Sequence, residues 1–218
     1  MTRTSALLAW TTSLLALSLM HCGGTENTPA PRTPGQIAIA NAGCQGCHGN
    51  DLSGVDTPLM GWSATKSVTN ALLGILVRQG RLDMFAPAPV AAWADPQDPR
   101  HAITPDNLLR MNSGLAVGQS LSSGLSDMFD PSAEMVFAER DMAGFAERFP
   151  LSFAPGSSWN YTNGNTLVLS RIIRDKVGGD ARSVLAFAHR ELFDKLGMRR
   201  VTLEFDSTGT PIGSSHML

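Results

Sequence analysis

The chain has 218 residues, 43% of them hydrophobic and 17% charged, with a formal net charge of −2. That length and apolar fraction suffice for one sizeable core, or for one domain with a small appendage. The near-neutral balance excludes the basic surface of a nucleic-acid-binding domain, and frequent Gly and Pro predict many loops.

The first elements read as an export leader. Arg3 supplies a positive start, Ala6 to Met20 a short apolar run, and Cys22-Gly23-Gly24 follows, which together predict a signal peptide over residues 1–22. The run is too short and too rich in Ser and Thr to span a membrane comfortably. Leu19-Met20-His21-Cys22 resembles a bacterial lipobox, which would place a lipid anchor on Cys22, although His21 departs from the small residue that such a motif carries. An ordinary signal peptide with an incidental Cys is the alternative. Residues 23–34, with Thr, Asn and three prolines, predict a flexible linker. The expected location is the periplasm or cell envelope.

Residues 35–56 contain Cys44-Gln-Gly-Cys47-His48, a C-x-x-C-H signature. It resembles the opening helix of a small cytochrome c. The resemblance implies thioethers at Cys44 and Cys47, haem c as cofactor and His48 as an iron ligand. A cytochrome c also has further helices over the haem and usually a distal Met; Met60 and Met84 are the nearest candidates, without family context. A local disulfide in an oxidising compartment and a truncated vestige are the other readings.

The next stretch, from Gly61 to Gly80, predicts a helix. Val68, Ala71, Leu72, Ile75 and Leu76 recur at three- and four-residue spacing, and Leu73 and Val77 extend the apolar surface most of the way round, as expected of a helix inside a core. One polar stripe, Ser63, Lys66, Ser67 and Asn70, breaks it. Ser63 and Lys66 form S-x-x-K: the hydroxyl gains from the positive end of the helix dipole, and a desolvated Lys66 would have a lowered pKa and take the Ser63 proton. Arg78 and Gln79-Gly80 predict the stop.

Met84 to Pro99 is a Pro-rich crossing. Thr104-Pro105-Asp106 opens a short capped helix, with Gly114 of Ser113-Gly114-Leu115 as its expected stop. Asp141 to Arg148 predicts another short helix, and Pro155-Gly156 a turn before Tyr161-Thr162-Asn163. Helices are expected over roughly Asn165 to Lys176 and Ala181 to Leu196, separated by Gly178-Gly179, and a strand over Val201 to Phe205. His189 and His216 have no partners at metal spacing, and no metal site is expected.

Two motifs carry a family resemblance. Ser63-Ala-Thr-Lys66 with its apolar helix resembles the first motif of the serine β-lactamase and penicillin-binding-protein superfamily, and its wording is similar to β-lactamase-related esterases and amidases, including 6-aminohexanoate-dimer hydrolases. Tyr161-Thr-Asn163 after a Pro-Gly turn resembles the second motif of class C β-lactamases and related esterases. The resemblance implies Ser63 as nucleophile, Lys66 and Tyr161 as the proton-moving pair, and Asn163 and Trp62 as substrate-binding residues, with Asn163 positioning a substrate carbonyl or Lys66. Ser113-Gly114-Leu115 would lie near the pocket.

The implied fold is α+β, β-lactamase/transpeptidase-like, with residues 57–218 holding mostly its helical part and much of the sheet missing. No K-T-G follows Tyr161, and the strand whose backbone N–H completes the oxyanion hole in that family is not visible. The expected function is serine-dependent acyl transfer on a small ester, amide or peptide, without a cofactor, weak or incomplete in this chain. Alternatives are a periplasmic c-type electron carrier using Cys44, Cys47 and His48, or a non-catalytic penicillin- or peptide-binding lipoprotein. Oligomeric state is not legible in the letters.

Overall fold

The computed structural model describes residues 59–118 and 130–218. The chain divides into two units, Met1–Asp56 and Thr57–Leu218, and every described residue belongs to the second. The expected signal, linker and C-x-x-C-H segments, with Cys22, Cys44, Cys47 and His48, lie outside the described residues.

A 3-10 turn over Trp62–Ala64 leads into α1, Thr65–Arg78. The helix ends as its letters predict. Gly80 takes a positive φ of 67°, its N–H donates to Val77 O at 2.9 Å, and Arg81 N donates to Leu76 O at 2.9 Å; this is the paired bond pattern of a glycine-terminated helix. Its buried face differs from the expectation of a helix enclosed nearly all round. Thr65, Thr69, Leu72, Leu73 and Leu76 are buried, whereas Ser67, Asn70, Gly74 and Val77 face solvent. Two of the five buried positions are threonines, and the packed face is a single stripe of the kind a half-buried helix needs.

The crossing after α1 runs through two more 3-10 turns, Ala91–Trp93 and Pro99–Ala102. It is tied down by buried Trp93, whose indole N–H donates to Glu147 O at 3.1 Å. Arg100 pairs with Asp98 and donates to the same carbonyl at 2.9 Å.

Helix α2, Pro105–Leu109, starts at Thr104, whose hydroxyl accepts from Asn107 N while the Asn107 side chain reaches back, a reciprocal cap. Its stop is a correction. Met111, at φ 58°, takes the left-handed position, with Asn112 N donating to Asn107 O at 3.0 Å; Gly114 serves the next turn instead. Gly114 has its own reason to be glycine: at φ 87° any Cβ would run into the carbonyl of Phe153.

Helix α3, Pro131–Phe137, was not anticipated, although Asp130 caps it and Pro131 opens it, a legible signal. Helix α4, Met142–Glu147, matches the expected segment and is capped by Asp141. Helix α5, Asn163–Val177, is the central element, packed against α1, α2, α3 and α4 and against α6, Ala181–Ala188. It begins two residues earlier than predicted because Thr162, not a later residue, supplies the cap, accepting from Gly164 N. Leu167, Val168, Leu169, Ile172 and Ile173 of α5 are buried. Each such side chain contributes on the order of 1.5–3 kcal/mol on leaving water.

Helix α6 does not run α-helical to Leu196. It passes into a π-helical turn, His189–Phe193, which rotates Phe193 into the core. Within that turn His189 Nδ1 lies 3.1 Å from Asp194.

The expected strand at Val201–Phe205 is only partly realised. Val201, Leu203 and Phe205 alternate inward of Thr202 and Glu204, but pairing with the chain end is confined to isolated antiparallel bridges, Leu203 with Met217 and Phe205 with Pro211. Between them residues 212–216 form a turn, with His216 N donating to Ile212 O at 3.0 Å. Among the described residues, β structure amounts to isolated bridges, so what is present is the helical part of the α+β expectation.

Candidate active site

Ser63 sits in the turn before α1, at the helix's positive end, and is exposed. Lys66, one turn on, is half-buried and donates from Nζ to Ser63 Oγ at 3.1 Å. Tyr161, at the entry to α5, donates from its hydroxyl to the same Oγ at 2.8 Å. Ser63 and Tyr161, 98 positions apart in sequence, thus meet at one oxygen, and Lys66 meets Asn163, 97 positions on, beside them, because α1 and α5 pack side by side with their N-termini at the same end. Ser67 and Asn70, grouped with Ser63 by spacing alone, are exposed.

Lys66 has two further acceptors, Asn163 Oδ1 at 2.8 Å and Ser214 O at 2.7 Å. Three donors meet three acceptors, so the amine has a single fixed position. Asn163, first residue of α5, thereby contacts Lys66, one of the two roles expected for it. The Ser214 carbonyl carried no signal in the sequence, since recognition through a backbone oxygen does not depend on the side chain. It is part of a longer seam. Gly61 N donates to Met217 O at 2.7 Å and Thr69 Oγ1 donates to Gly213 O at 2.9 Å, so the chain end runs back along the start of α1.

The electrostatics follow from this packing. Burial lowers the Lys66 pKa from its ordinary value, and the neighbouring Tyr161 only partly opposes that shift. For Tyr161, burial alone would raise the phenol. Its hydrogen bonds with Ser63 and Lys66, together with the Lys66 charge, outweigh burial and leave it lowered. The Lys66 nitrogen lies 5.1 Å from the Tyr161 ring centre. The two groups titrate as a pair. When either loses its proton it becomes an acceptor for the Ser63 hydroxyl, which is the condition for making Ser63 a nucleophile.

Tyr161 is held by its surroundings. Asn160 N donates to Met111 O at 2.7 Å, and Gly156 N to Asn112 O at 2.8 Å. Ser113 Oγ donates to Asn165 Oδ1 at 2.7 Å. The carbonyls of Met111 and Asn112 therefore brace the segment that carries Tyr161, and Ser113 ties the same turn to α5. Trp62 is next to the nucleophile, has φ 44° and is 66% exposed. Open space of about 680 Å³ beside Arg100 and Arg148, and about 420 Å³ beside Trp93 and His101, lies away from Ser63. Among the described residues no group of His, Cys, Asp and Glu could hold a metal ion.

A helical scaffold with these elements in this order is the helical part of the β-lactamase/transpeptidase fold. Residues 34–216 match the Beta-lactamase family model, and the chain belongs to that family. The match begins ahead of the C-x-x-C-H segment and runs through it. Among solved structures, the chain is similar to a D-stereospecific amidohydrolase from Streptomyces sp., at 20% identity and TM-score 0.51, covering 73% of this chain and 56% of that one. It is also similar to a 6-aminohexanoate-dimer hydrolase candidate from Bacillus anthracis, at 19% identity and TM-score 0.53, covering 72% of this chain and 42% of that one. At such identities the likeness concerns the fold, and the chain spans about half the length of these relatives. Comparison with curated proteins found no match.

Proposed function

We propose that the chain acts as a serine hydrolase of the β-lactamase-related type, transferring the acyl group of a small ester or amide through a covalent intermediate on Ser63. The observation that carries the reading is the Ser63 Oγ held at once by Lys66 Nζ at 3.1 Å and by the Tyr161 hydroxyl at 2.8 Å. The deprotonated member of the Lys66–Tyr161 pair accepts the Ser63 proton as Oγ bonds to the substrate carbonyl carbon. That proton passes to the leaving nitrogen or oxygen as its bond to carbon breaks. Water then attacks the acyl-Ser63 ester, giving its proton to the same pair, which returns it to Ser63 Oγ as the bond from the carbonyl carbon to Oγ breaks and the acid is released. Asn163 and the Ser214 carbonyl hold Lys66 in place through both steps, and Trp62 borders the substrate. The chemistry requires no cofactor.

Covalent labelling of Ser63 by a fluorophosphonate or penicillin probe tests the proposal. Ser63→Ala should lose labelling with its helical circular dichroism unchanged; equal labelling of the variant would refute the nucleophile.

A further inference from the structure

Trp159 stands in the segment that delivers Tyr161, and neither the fold nor the proton chemistry makes use of its indole. It is 60% exposed, yet its ring lies against Tyr161, centre to centre 6.2 Å at 41°. Its backbone is not loose. The adjoining Asn160 is fixed through its N–H to Met111 O, and its side chain donates to Gly118 O at 3.3 Å. A large apolar surface is thus kept in water at a fixed place, one ring away from the phenol that contacts the nucleophile. Isolated exposed hydrophobics are ordinary. Two indoles, Trp62 and Trp159, on the two segments that meet at Ser63 are a more specific arrangement.

We propose that Trp159 lines the leaving-group side of the Ser63 site and selects esters or amides whose leaving group carries an aromatic ring. This rests on the proposed role of Ser63. In that role Tyr161 is one of the two groups able to return a proton to the departing atom, and it is the one beside Trp159. A ring on the leaving group would stack or pack edge-on against the indole, covering surface that is otherwise wetted. The bond that forms is Oγ to carbonyl carbon. The bond that breaks is carbonyl carbon to the aryl- or arylalkyl-bearing oxygen or nitrogen, which departs with the proton taken from Ser63.

Two phosphonates with the same alkyl groups separate this from the nucleophile assignment, one losing fluoride and one losing p-nitrophenol, each followed by mass spectrometry of Ser63. In the full chain, Trp159→Ala should slow labelling by the p-nitrophenyl probe about tenfold, the loss of one aromatic contact, and leave labelling by the fluoride probe within about twofold. Trp159→Phe should retain most of the aryl preference. If Trp159→Ala slows both probes equally, the indole merely braces Tyr161 and the proposal is overturned. It is also overturned if neither probe is affected. Absence of Ser63 labelling by both probes in the unaltered chain would instead remove the nucleophile, and the leaving-group site with it.

Discussion

At the scale of single residues, the site turns on where two protons reside. Lys66 is pulled toward its neutral form by burial, while the phenol of Tyr161 is pulled toward its anion by Ser63 and Lys66 against the effect of burial. A neutral amine or a phenolate is the form able to take the Ser63 proton, so labelling should accelerate as pH rises, with a midpoint below the ordinary lysine value. A rate that stays flat between about pH 6 and 10 would contradict this. Lys66→Met and Tyr161→Phe should each slow labelling by about 10²–10⁴-fold, the usual range for a positioned acid or base. Trp62 tests a different principle. Its positive φ costs an L-residue about 1–2 kcal/mol, against about 0.4–1 kcal/mol for the greater freedom of a glycine in the unfolded chain, so Trp62→Gly should raise stability to urea by at most about 1 kcal/mol, and on the proposed function it should also weaken substrate binding.

Among elements, the decisive junction is where the chain end crosses α1 and α5. Gly213 lies between Thr69 Oγ1 and Ser170 Oγ, and a Cβ there would collide with both. Both hydroxyls belong to buried residues on the two helices that carry the site. Gly213→Ala should therefore cost about 1–3 kcal/mol as an overpacked position, shift the Ser214 carbonyl off Lys66, and reduce labelling more than it reduces helicity. A second junction links α4 to α5. Arg171 contacts Asp141 and, at 3.1 Å, Glu147, but Glu147 Oε1 is left without a partner. Burial and the charge of Asp175 raise the Glu147 pKa to about 7 against the pull of Arg174; with one carboxylate oxygen unpaired, the Arg171 contact does not offset burial. A raised carboxyl pKa means that the folded state binds the proton more tightly. Its contribution is complete below the unfolded value near 4.5 and is lost as pH rises through about 7. Glu147→Gln should flatten the fall in unfolding free energy across that window, and an unchanged slope would show that Glu147 stays ionised.

At the scale of the whole molecule, the expected export leader and the Ser63 site can be tested separately. We propose that the chain is exported and carries lipid on Cys22. Expression in a Gram-negative host with labelled palmitate should give a membrane-associated product, and Cys22→Ala should release it from the membrane while leaving Ser63 labelling unchanged. The described residues place no strand N–H opposite Ser63 to complete an oxyanion hole.

The letters determined local things. Thr104-Pro105, Arg78 with Gly80, Asp141 and the paired motifs at Ser63 and Tyr161 specify their own caps, turns and chemical identities through interactions within a few residues. That is why most helix positions and the family were legible, although α3 carries the same kind of signal at Asp130-Pro131 and was not anticipated. Less legible were the stop at Met111, the π turn in α6 and the burial of Thr65 and Thr69, each of which depends on what packs against it. The third acceptor of Lys66 was hidden for a deeper reason: a backbone carbonyl is the same at every residue, so only the return of residues 213–217 along α1 could bring it to the amine. Sequence supplied a serine, a lysine and a tyrosine able to share a proton, and tertiary packing of α1, α5 and the chain end decided that they meet.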